Sequence, residues 1–451
     1  MATALIVLAA GRGTRMKSDL PKVLHPIAGA PMLAHAMAAG ATLDPDHVIV
    51  VAGHGAEAVR KAALECDARA RVVIQNEQLG TANAVDQAAP LLADYDGDAL
   101  VLYGDTPFIQ PETLERMQSA RADHDIVVLG FEAADPGRYG RLVTEGDTLD
   151  RIVEFKDATP AESAISLCNS GVILAPARLL FELISQVTND NASGEYYLTD
   201  IVALARARGF SATAATCDET ETMGINSRAE LAIAESAFQA RKRAEALENG
   251  VTLTAPDTVQ FGHDTYLGRD CLVEPYVVFG PGVTVETGAH IRAFSHLEGC
   301  HVARGAVVGP YARLRPGTEL SEDARIGNFV EVKNALIGEA AKVNHLSYIG
   351  DAQVGEASNI GAGTITCNYD GVGKHETIIG ARVFVGSNTM LVAPVTLGDE
   401  AMTGSGSVIT RDVAAGALAI ARAEQVEKPG MARKLFETLR SKASRRSKVA
   451  E

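Results

Sequence analysis

The residues best suited to chemistry in this sequence begin in a glycine-containing loop near the N terminus. Gly11 and Gly13 follow an apolar run, and Arg15 and Lys22 come soon after them. Glycine lets a backbone turn sharply and approach a ligand closely, so that its N–H groups can cradle a phosphate. Arg and Lys side chains add positive charge for further phosphate oxygens. Such a loop can also be a mere tight turn, but its place after a strand favours ligand binding in an open α/β sheet.

A second loop supports this interpretation. The apolar run Ala99–Tyr103 ends in Gly104 and Asp105. An Asp just past a buried strand can hold Mg²⁺, which usually takes one or two protein carboxylates together with substrate phosphates. The alternative for Asp105 is a turn residue or a helix N-cap.

The second half of the chain offers polar residues of a different kind. His345 is a natural general base, because an unperturbed imidazole titrates near neutral pH. Arg315 and Lys333 supply positive charges earlier in the same region. Taken singly, a histidine is more often a surface or hydrogen-bonded residue, and the two cations could be solvated charges.

In the first half, short apolar runs alternate with Ala-rich segments of helical character. The runs, which we interpret as buried parallel strands, are Ala4–Leu8, His47–Ala52, Arg71–Gln75, Ala99–Tyr103 and Asp125–Leu129. The helical segments are Pro31–Ala41, Ala56–Glu65, Ala82–Leu92 and Pro111–Ala122. This order predicts an α/β domain with a doubly wound, Rossmann-like parallel sheet. Ser227 and Glu230 form a predicted capping box for a linker helix over Arg228–Glu248.

From about Val251 onward, apolar residues recur every six positions. The series are Val308, Leu314, Leu320, Ile326 and Val332; then Ile337, Val343 and Ile349; then Ile379, Val385, Leu391 and Leu397. This period predicts a parallel β-helix in which each hexapeptide is one short strand and one corner. Glycine follows several of these residues, and we expect it to allow the tight corners.

Length and composition limit the remaining possibilities. With 451 residues the chain suits two or three domains, and we expect a nucleotide-binding domain at 1–228, a linker helix at 229–249 and a β-helix domain at 250–451. The net charge of −16 argues against broad nucleic-acid binding. The six cysteines lack CxxC spacing, no signal peptide or membrane span is visible, and a reducing cytoplasm is expected. The basic run Arg440–Lys448 is expected to be a solvated, partly disordered end.

Several longer motifs carry a family resemblance. In the first half they are Leu8–Met16, Pro21-Lys22, Gln75, Gly80-Thr81, Tyr103–Asp105, Gly140, Glu154, Asn169–Gly171, Gly194–Asp200 and Asn226. In the second half they are Leu314–Gly317, Glu331–Lys333, Asn344–Asp351, Asn359–Thr364, Cys367–Gly371 and Phe384–Ser387. Over roughly residues 4–425 the chain resembles the bacterial bifunctional family of N-acetylglucosamine-1-phosphate uridyltransferase/glucosamine-1-phosphate acetyltransferases.

The resemblance implies that the first half transfers a uridylyl group from UTP to N-acetylglucosamine 1-phosphate. Arg15 and Lys22 would contact phosphates, and Asp105 and Asn226 would bind Mg²⁺. The implied nucleotide-sugar site comprises Leu8, Ala9, Ala10, Gly11, Lys22, Gln75, Gly80, Thr81, Tyr103, Gly104, Asp105, Gly140, Glu154, Asn169 and Asn226. Such residues suit this chemistry, since the difficulty is to bring two polyanions together in line.

For the second half the resemblance implies acetyl transfer from acetyl-CoA to glucosamine 1-phosphate, with His345 as the base. Glucosamine 1-phosphate would be held by Arg315, Lys333, Tyr348 and Asn359. Acetyl-CoA would contact Ala362, Asn368, Tyr369, Ser387, Ser405 and Arg422. Ser405 stands where the family pattern has Ala, and a small Ser is compatible with a contact made through the backbone.

The resemblance also implies a left-handed β-helix, a homotrimer, a cytoplasmic location and synthesis of UDP-N-acetylglucosamine for the cell wall, with no nucleic-acid or membrane partner. The sequence leaves two alternatives. One is a nucleotidyltransferase whose β-helix only trimerises or regulates, and the other is a non-catalytic nucleotide-sugar sensor. His345 with its polar neighbours argues against the first, and the Arg15, Lys22, Asp105 and Asn226 set argues against the second.

Overall fold

The structure is a computed structural model that describes residues 2–447. The chain divides into two compact units, and the first contains the residues up to Asn249 together with Pro256–Thr265 and Phe279–Val283. The second contains Gly250–Ala255, Tyr266–Val278 and the chain from Thr284 onward. The helix predicted as a linker therefore clusters with the first unit.

The first unit is built on a nine-stranded sheet in the order β11-β7-β10-β6-β1-β4-β5, with β8 and β9 attached beside β10. Its strands, with the small pair β2 and β3, are β1 (Thr3–Ala9), β2 (Pro26–Ile27), β3 (Ala30–Pro31), β4 (His47–Ala52), β5 (Arg71–Ile74), β6 (Asp98–Tyr103), β7 (Ile126–Glu132), β8 (Arg141–Glu145), β9 (Thr148–Val153), β10 (Leu167–Pro176) and β11 (Ala212–Cys217). All five predicted strands are present. Strand β1 is buried on both faces, because Ile6 packs into one hydrophobic core and Val7 into the other.

Helices cover both faces of this sheet. The helices of this unit are α1 (Met32–Ala41), α2 (Ala56–Cys66), α3 (Thr81–Asp86), α4 (Pro111–Arg121), α5 (Pro160–Ser163), α6 (Ala177–Ile184), α7 (Asp200–Ala207) and α8 (Arg228–Glu248), of which α8 packs beside β2. The predicted helix over Ala82–Leu92 is wrong in its second half, since α3 ends at Asp86 and a 3₁₀ turn covers Ala89–Leu91. Pro90 explains the break, because it lacks an N–H and disfavours helical geometry in the residue before it.

The sheet is mixed, although the five predicted strands run parallel to one another within it. Strand β10 runs antiparallel to both β6 and β7, between which it is inserted. It enters from the β8–β9 hairpin and the single-turn helix α5, without the long crossover that a parallel neighbour requires.

The first turn of α8 also differs in one detail from the predicted capping box. Ser227 Oγ does accept the Glu230 N–H at 3.3 Å. The Glu230 carboxylate, however, accepts the N–H of Asn226 at 2.6 Å instead of reaching the N-cap residue itself. This carboxylate therefore fixes the backbone of a predicted metal ligand.

The second unit is a parallel β-helix of short strands. They are β12 (Thr252–Leu253), β13 (Tyr266–Leu267), β14 (Leu272–Val273), β15 (Val278–Phe279), β16 (Val283–Val285), β17 (His290–Ile291), β18 (His296–Leu297), β19 (Cys300–Val302), β20 (Val307–Val308), β21 (Arg313–Leu314), β22 (Thr318–Leu320), β23 (Arg325–Asn328), β24 (Glu331–Ile337), β25 (Lys342–His345), β26 (Tyr348–Val354), β27 (Asn359–Ile360), β28 (Ile365–Cys367), β29 (Thr377–Ile379), β30 (Phe384–Val385), β31 (Met390–Val392), β32 (Val395–Leu397), β33 (Met402–Thr403), β34 (Val408–Ile409) and β35 (Leu418–Ala419). Every aliphatic residue of the three six-residue series is buried, which confirms the predicted period. Parallel register puts Val308 beside Ile326 and Ile326 beside Val343, so that a coil takes 17 or 18 residues.

The corners of this β-helix are made differently from the prediction. The backbone turns with positive φ three residues after the inward aliphatic, as at Tyr311, Phe329 and Leu346. Of the glycines that directly follow the aliphatics, Gly309 has φ +96°, whereas Gly327, Gly338, Gly350, Gly380 and Gly398 have no positive φ. A Cβ on Gly338 would stand 2.8 Å from the Glu356 nitrogen and the Val354 oxygen of the next coil. These glycines are therefore needed for the close approach of neighbouring coils.

The C-terminal basic run is helical where disorder was expected. Helix α9 covers Met431–Ser447, and Lys448 lies outside the described residues. Its Ala, Leu, Glu, Lys and Arg residues are strong helix formers, which accounts for the difference. Among residues 2–447, no helix is both long and apolar enough to cross a membrane.

We expect Gly338→Ala to destabilise the β-helix by about 1–3 kcal/mol, because the added methyl group overlaps backbone atoms that cannot rotate away. Urea unfolding of the two variants against the parent protein measures this. Gly373→Ala is the matched control, since its Cβ would meet nothing nearer than His375 at 3.9 Å. Equal midpoints for both variants would refute the close-approach role.

Candidate active sites

A cavity of about 290 Å³ opens at the carboxyl end of β1 and β6. It is lined by Leu8, Ala9, Ala10, Gly11, Lys22, Val23, Gln75, Gln78, Gly80, Thr81, Ala84, Tyr103, Asp105 and Glu195. The cavity thus brings together ten of the residues predicted for nucleotide-sugar binding. Val23, Gln78 and Ala84 are additions that the sequence did not single out, and Glu195 belongs to the motif Gly194–Asp200, to which no binding role was assigned.

The glycine loop allows Lys22 to approach the cavity. Gly13 has φ +59°, and a Cβ on it would stand 2.6 Å from Cβ of Lys22. Gly104 continues the β1–β6 pairing, and its N–H donates to the Leu8 carbonyl at 2.9 Å. Both loops are therefore held side by side, as ligand binding at a strand end requires.

The Gly80-Thr81 segment is supported from behind by the loop that precedes α7. Gly80 has φ +125° and lies against the backbone of Tyr196. Thr81 Oγ1 accepts the N–H of Leu198 at 2.9 Å. Gln75 donates to the Gly80 carbonyl at 3.1 Å. This part of the motif Gly194–Asp200 thus acts as a scaffold for the cavity wall.

Two oxygen atoms converge on one cation at the mouth of this cavity. Lys22 Nζ contacts Asp105 Oδ2 and also donates to Asn226 Oδ1 at 3.0 Å. The ammonium stands in for a metal ion, and a carboxylate with an amide oxygen is a hard donor pair of the kind Mg²⁺ takes. In the part of the chain that the structure describes, no group of three or more His, Cys, Asp or Glu could hold a metal. A site completed by phosphate oxygens needs no such group, so Asp105 and Asn226 fit Mg²⁺.

Arg15 is exposed and lies outside the cavity wall. Its neighbours Arg12 and Thr14 line an adjoining cavity of about 520 Å³, which shares Gln75 and Gln78 with the first. The glycine loop therefore separates two cavities, and the second is the more open and more polar.

The predicted sugar-binding residues form a group of their own. The Gly140 carbonyl accepts the Asn169 N–H at 2.9 Å, and a Cβ on Gly140 would lie 3.6 Å from Glu154 Oε1. Thr199 Oγ1 donates to Glu154 at 3.1 Å. Burial raises the pKa of Glu154 despite this hydrogen bond. Burial, with the charges of Glu154 and Asp105, also raises the pKa of Tyr103, so its phenol stays protonated.

On the β-helix, His345 ends strand β25 and is exposed. Its Nδ1 lies 2.8 Å from Asn328 Oδ1, its register partner one coil earlier. An amide oxygen can only accept, so Nδ1 carries the proton and Nε2 keeps a free lone pair. Asn328 was missed in the sequence, although its distance of one coil length from His345 would have revealed it.

Four of the residues predicted to contact acetyl-CoA form a column that continues from His345, namely Ala362, Ser387, Ser405 and Arg422. The carbonyls of His345, Ala362 and Ser387 accept N–H groups from the following coils at 3.2, 2.7 and 2.8 Å. Arg422 Nη1 donates to the Ser405 carbonyl at 2.5 Å. Parallel strands lie about 4.8 Å apart, so the column from His345 to Arg422 spans about 19 Å over four coils. Ser405 takes part through its backbone.

Basic side chains are concentrated on the face of the β-helix next to the column that starts at His345. Arg315 and Lys333 follow paired residues on adjacent coils, and Tyr348 lies on the next strand of the same sheet. Arg315 Nη1 donates to Glu331 at 2.9 Å. Contact with the Lys333 ammonium lowers the pKa of Lys374, a residue that the sequence did not single out. Two crowded ammonium groups favour an anionic ligand.

The remaining predicted residues lie around this face. Asn359 is on β27, beside the strand of His345. Asn368 donates to Asp351, which also accepts from Asn334 at 2.7 Å. These hydrogen bonds lower the pKa of Asp351 although burial opposes them. Tyr369 is exposed at the start of an extra loop between β28 and β29, the same loop that carries Lys374.

Comparisons with known proteins match both units. A family model for the MobA-like NTP transferase domain matches residues 5–220, and one for the bacterial transferase hexapeptide (six repeats) matches residues 376–411. A protein of Ruegeria pomeroyi described as "Bifunctional protein GlmU" is 69% identical over 448 residues, which cover 99% of this chain and 100% of the relative. Proteins with the same description from Ruegeria sp. (strain TM1040) and Cereibacter sphaeroides are 67% and 68% identical, each over 99% of this chain and over 100% and 98% of their own lengths.

We expect Glu154→Gln to raise the melting temperature of the unliganded protein at pH 7 by a few degrees. Because the folded-state pKa of Glu154 is raised, ionisation of this buried carboxyl opposes folding as pH rises through that pKa, whereas near pH 4 the penalty is absent. Calorimetric scans at the two pH values measure the difference. Glu145→Gln, at an exposed carboxylate of the neighbouring hairpin, should leave both midpoints unchanged. A gain for Glu154→Gln that persisted at pH 4 would contradict the explanation.

Proposed function

This chain belongs to the family of the bifunctional protein GlmU, and from that premise we propose how its two sites divide two reactions. The chain is a bifunctional enzyme with a uridyltransferase unit and an acetyltransferase β-helix, which is left-handed. The β-helix site transfers an acetyl group from acetyl-CoA to glucosamine 1-phosphate. The first unit then transfers a uridylyl group from UTP to the N-acetylglucosamine 1-phosphate so formed, and UDP-N-acetylglucosamine and pyrophosphate result.

The proposal of uridylyl transfer rests on the contacts that Lys22 makes with Asp105 and Asn226 beside the glycine loop. The sugar phosphate is already an anionic nucleophile, so the site must mainly offset repulsion between phosphates. Mg²⁺, when bound by Asp105 and Asn226, supplies charge neutralisation at the attacked α-phosphate. Lys22 and the N–H groups of the glycine loop hold phosphate oxygens in line for displacement of pyrophosphate. The adjoining cavity with Arg12 and Thr14 is suited to the leaving group, and exposed Arg15 directly follows Thr14 in the chain.

The sugar phosphate enters from the side of Gly140, Glu154 and Asn169. Gly140 offers space, while the Glu154 carboxylate and the Asn169 amide offer hydrogen bonds to hydroxyl and acetamido groups. Gln75 and Gly80-Thr81 lie on the nucleotide side of the same cavity. The two substrates thereby meet at Tyr103 and Asp105, where β6 ends.

In acetyl transfer, Nε2 of His345 accepts the proton of the attacking amine. The amine nitrogen forms a bond to the thioester carbonyl carbon, the C–S bond breaks, and the proton passes on to the leaving thiolate. Asn328 is a positioning residue, because its oxygen holds the ring in the tautomer that leaves Nε2 basic. Arg315, Lys333 and Lys374 attract the sugar phosphate, with Tyr348 and Asn359 nearby. The column from Ala362 to Arg422 matches an extended cofactor arm.

A homotrimer is proposed from an exposed aromatic surface, the aromatic ladder, which consists of Tyr276, Phe294, Tyr311 and Phe329. Their rings stack at successive corners with centroids 5.0, 4.8 and 5.3 Å apart. Each ring is 47–56% exposed. The next corner residue is Leu346, which is 63% exposed and directly follows His345. Contact between copies along the ladder would thus bring a neighbouring subunit to the acetyl-transfer site. We assign the enzyme to the cytoplasm, where UTP and acetyl-CoA occur.

A one-pot assay tests the function. Purified protein with glucosamine 1-phosphate, acetyl-CoA, UTP and Mg²⁺ should release free thiol and then pyrophosphate. Suppose that UTP releases pyrophosphate when N-acetylglucosamine 1-phosphate is supplied directly, but acetyl-CoA releases no thiol when glucosamine 1-phosphate is supplied. The β-helix would then be only a scaffold.

Single substitutions should separate the two activities. Asp105→Ala should lower pyrophosphate release at least about 100-fold through lost charge stabilisation and leave thiol release intact. His345→Ala should lower thiol release by about 10²–10⁴-fold and leave uridylyl transfer intact. Each variant is the other's control. Equal loss of both activities in either folded variant would contradict the assignment of separate sites.

We expect Phe294→Glu/Tyr311→Glu to dissociate the trimer, because two carboxylates would be buried against another copy. Light scattering coupled to size exclusion measures the mass. The rate of acetyl transfer should fall when the trimer dissociates, while the rate of uridylyl transfer should persist. Tyr266→Glu, at a 60% exposed aromatic outside the ladder, should remain trimeric. A trimer in the double variant would refute the ladder as the interface.

A further inference from the structure

Lys22 makes an unusual contact for a phosphate-binding residue. Its side chain is only 12% exposed and pairs with Asp105, whose side chain is 19% exposed. The same ammonium also donates to Asn226 at 3.0 Å. Both partners are the residues that fit Mg²⁺. The ammonium therefore lies at the point where their two oxygens converge.

Three separate segments build this arrangement. Gly13 leaves room for the Lys22 stem, since a Cβ there would stand 2.6 Å from Lys22 Cβ. Asp105 is held through its carbonyl, which accepts the Ile225 N–H at 3.0 Å. Asn226 is fixed by the Glu230 carboxylate at 2.6 Å. A single cation satisfies oxygens that come from two distant parts of the chain.

A lysine and a divalent ion cannot share this point, because like charges a few ångström apart repel strongly at a partly buried site. A metal ion that arrives alone must expel the ammonium into solvent. A metal ion that arrives with a nucleotide brings phosphate oxygens, which offer the ammonium a new partner. The four-carbon stem of lysine is flexible enough for such an exchange.

We propose that the Lys22 ammonium occupies the metal position of the nucleotide-free enzyme. When metal and nucleotide enter together, it leaves Asp105 and Asn226 and binds the phosphates, a change of partners that we call the handover. The inference rests on the proposed metal site. Lys22 thus keeps Asp105 and Asn226 converged before substrate binds, and it makes the free enzyme a poor binder of bare divalent ions.

Binding of Mn²⁺ alone to the full-length, nucleotide-free enzyme tests this handover, with free Mn²⁺ measured by electron paramagnetic resonance. Lys22→Met should tighten Mn²⁺ binding at least about tenfold, since one opposing charge is removed from the site. Lys17→Met is the matched control, because it removes an equal charge from an exposed side chain five residues away and should leave the affinity unchanged. Lys22→Met/Asp105→Asn should lose the gain.

The outcomes separate this inference from the proposed function. Equal affinities for Lys22→Met and the parent enzyme, with weaker binding in the double variant, would overturn the handover and leave the metal site in place. Equal affinities for Lys22→Met and the double variant would overturn the metal site itself. If Lys22→Met does not fold, amine acylation of the parent enzyme decides the question. Saturating Mn²⁺ should then expose Lys22 to the reagent, and unchanged protection would overturn the handover.

Discussion

Register between parallel strands is the constraint on which both active sites depend. Pairing of β1 with β6 aligns Leu8 with Tyr103, so the glycine loop and Asp105 emerge at the same edge. Pairing of β23 with β25 aligns Asn328 with His345. In each unit, backbone hydrogen bonds fix which residues lie side by side, and they thereby bring residues far apart in sequence into one site. A slip of one residue would turn every side chain to the opposite face.

The first turn of α8 adds a second constraint in the uridyltransferase unit. Its N-cap geometry frees Glu230 to hold Asn226, while Arg228 donates to the Met16 carbonyl and to His25 Nδ1. Burial and the adjacent Arg228 charge lower the pKa of His25, so the ring stays neutral and can accept. The first turn of α8 thereby joins Asn226, the proposed metal ligand, to the ends of the glycine loop and of the Lys22 turn. The site is preorganised by groups that need not touch substrate.

Much of this could be predicted from the sequence, because both folds have short-range periodicities. Alternating runs located the five strands and the six-residue period located the buried aliphatics, and the family motifs supplied most of the cavity wall. The errors came from interactions between distant segments. Nothing local marks β10 as antiparallel, and nothing local shows that Gly338 faces another coil. Asn328 and Lys374 gain their significance only from neighbours one or more coils away.

The coil length sets rules for how this molecule can change in evolution. Residues of the acetyl-transfer column recur every 17 or 18 positions, except where the coil between Ile360 and Val385 takes 25. The extra residues there leave the β-helix at a corner and return without disturbing the strands on either side. Length variation in such a domain is therefore confined to corner loops or to whole coils, each worth one strand spacing of about 4.8 Å. The length of a cofactor site that runs along the β-helix can therefore change only in steps of one strand spacing.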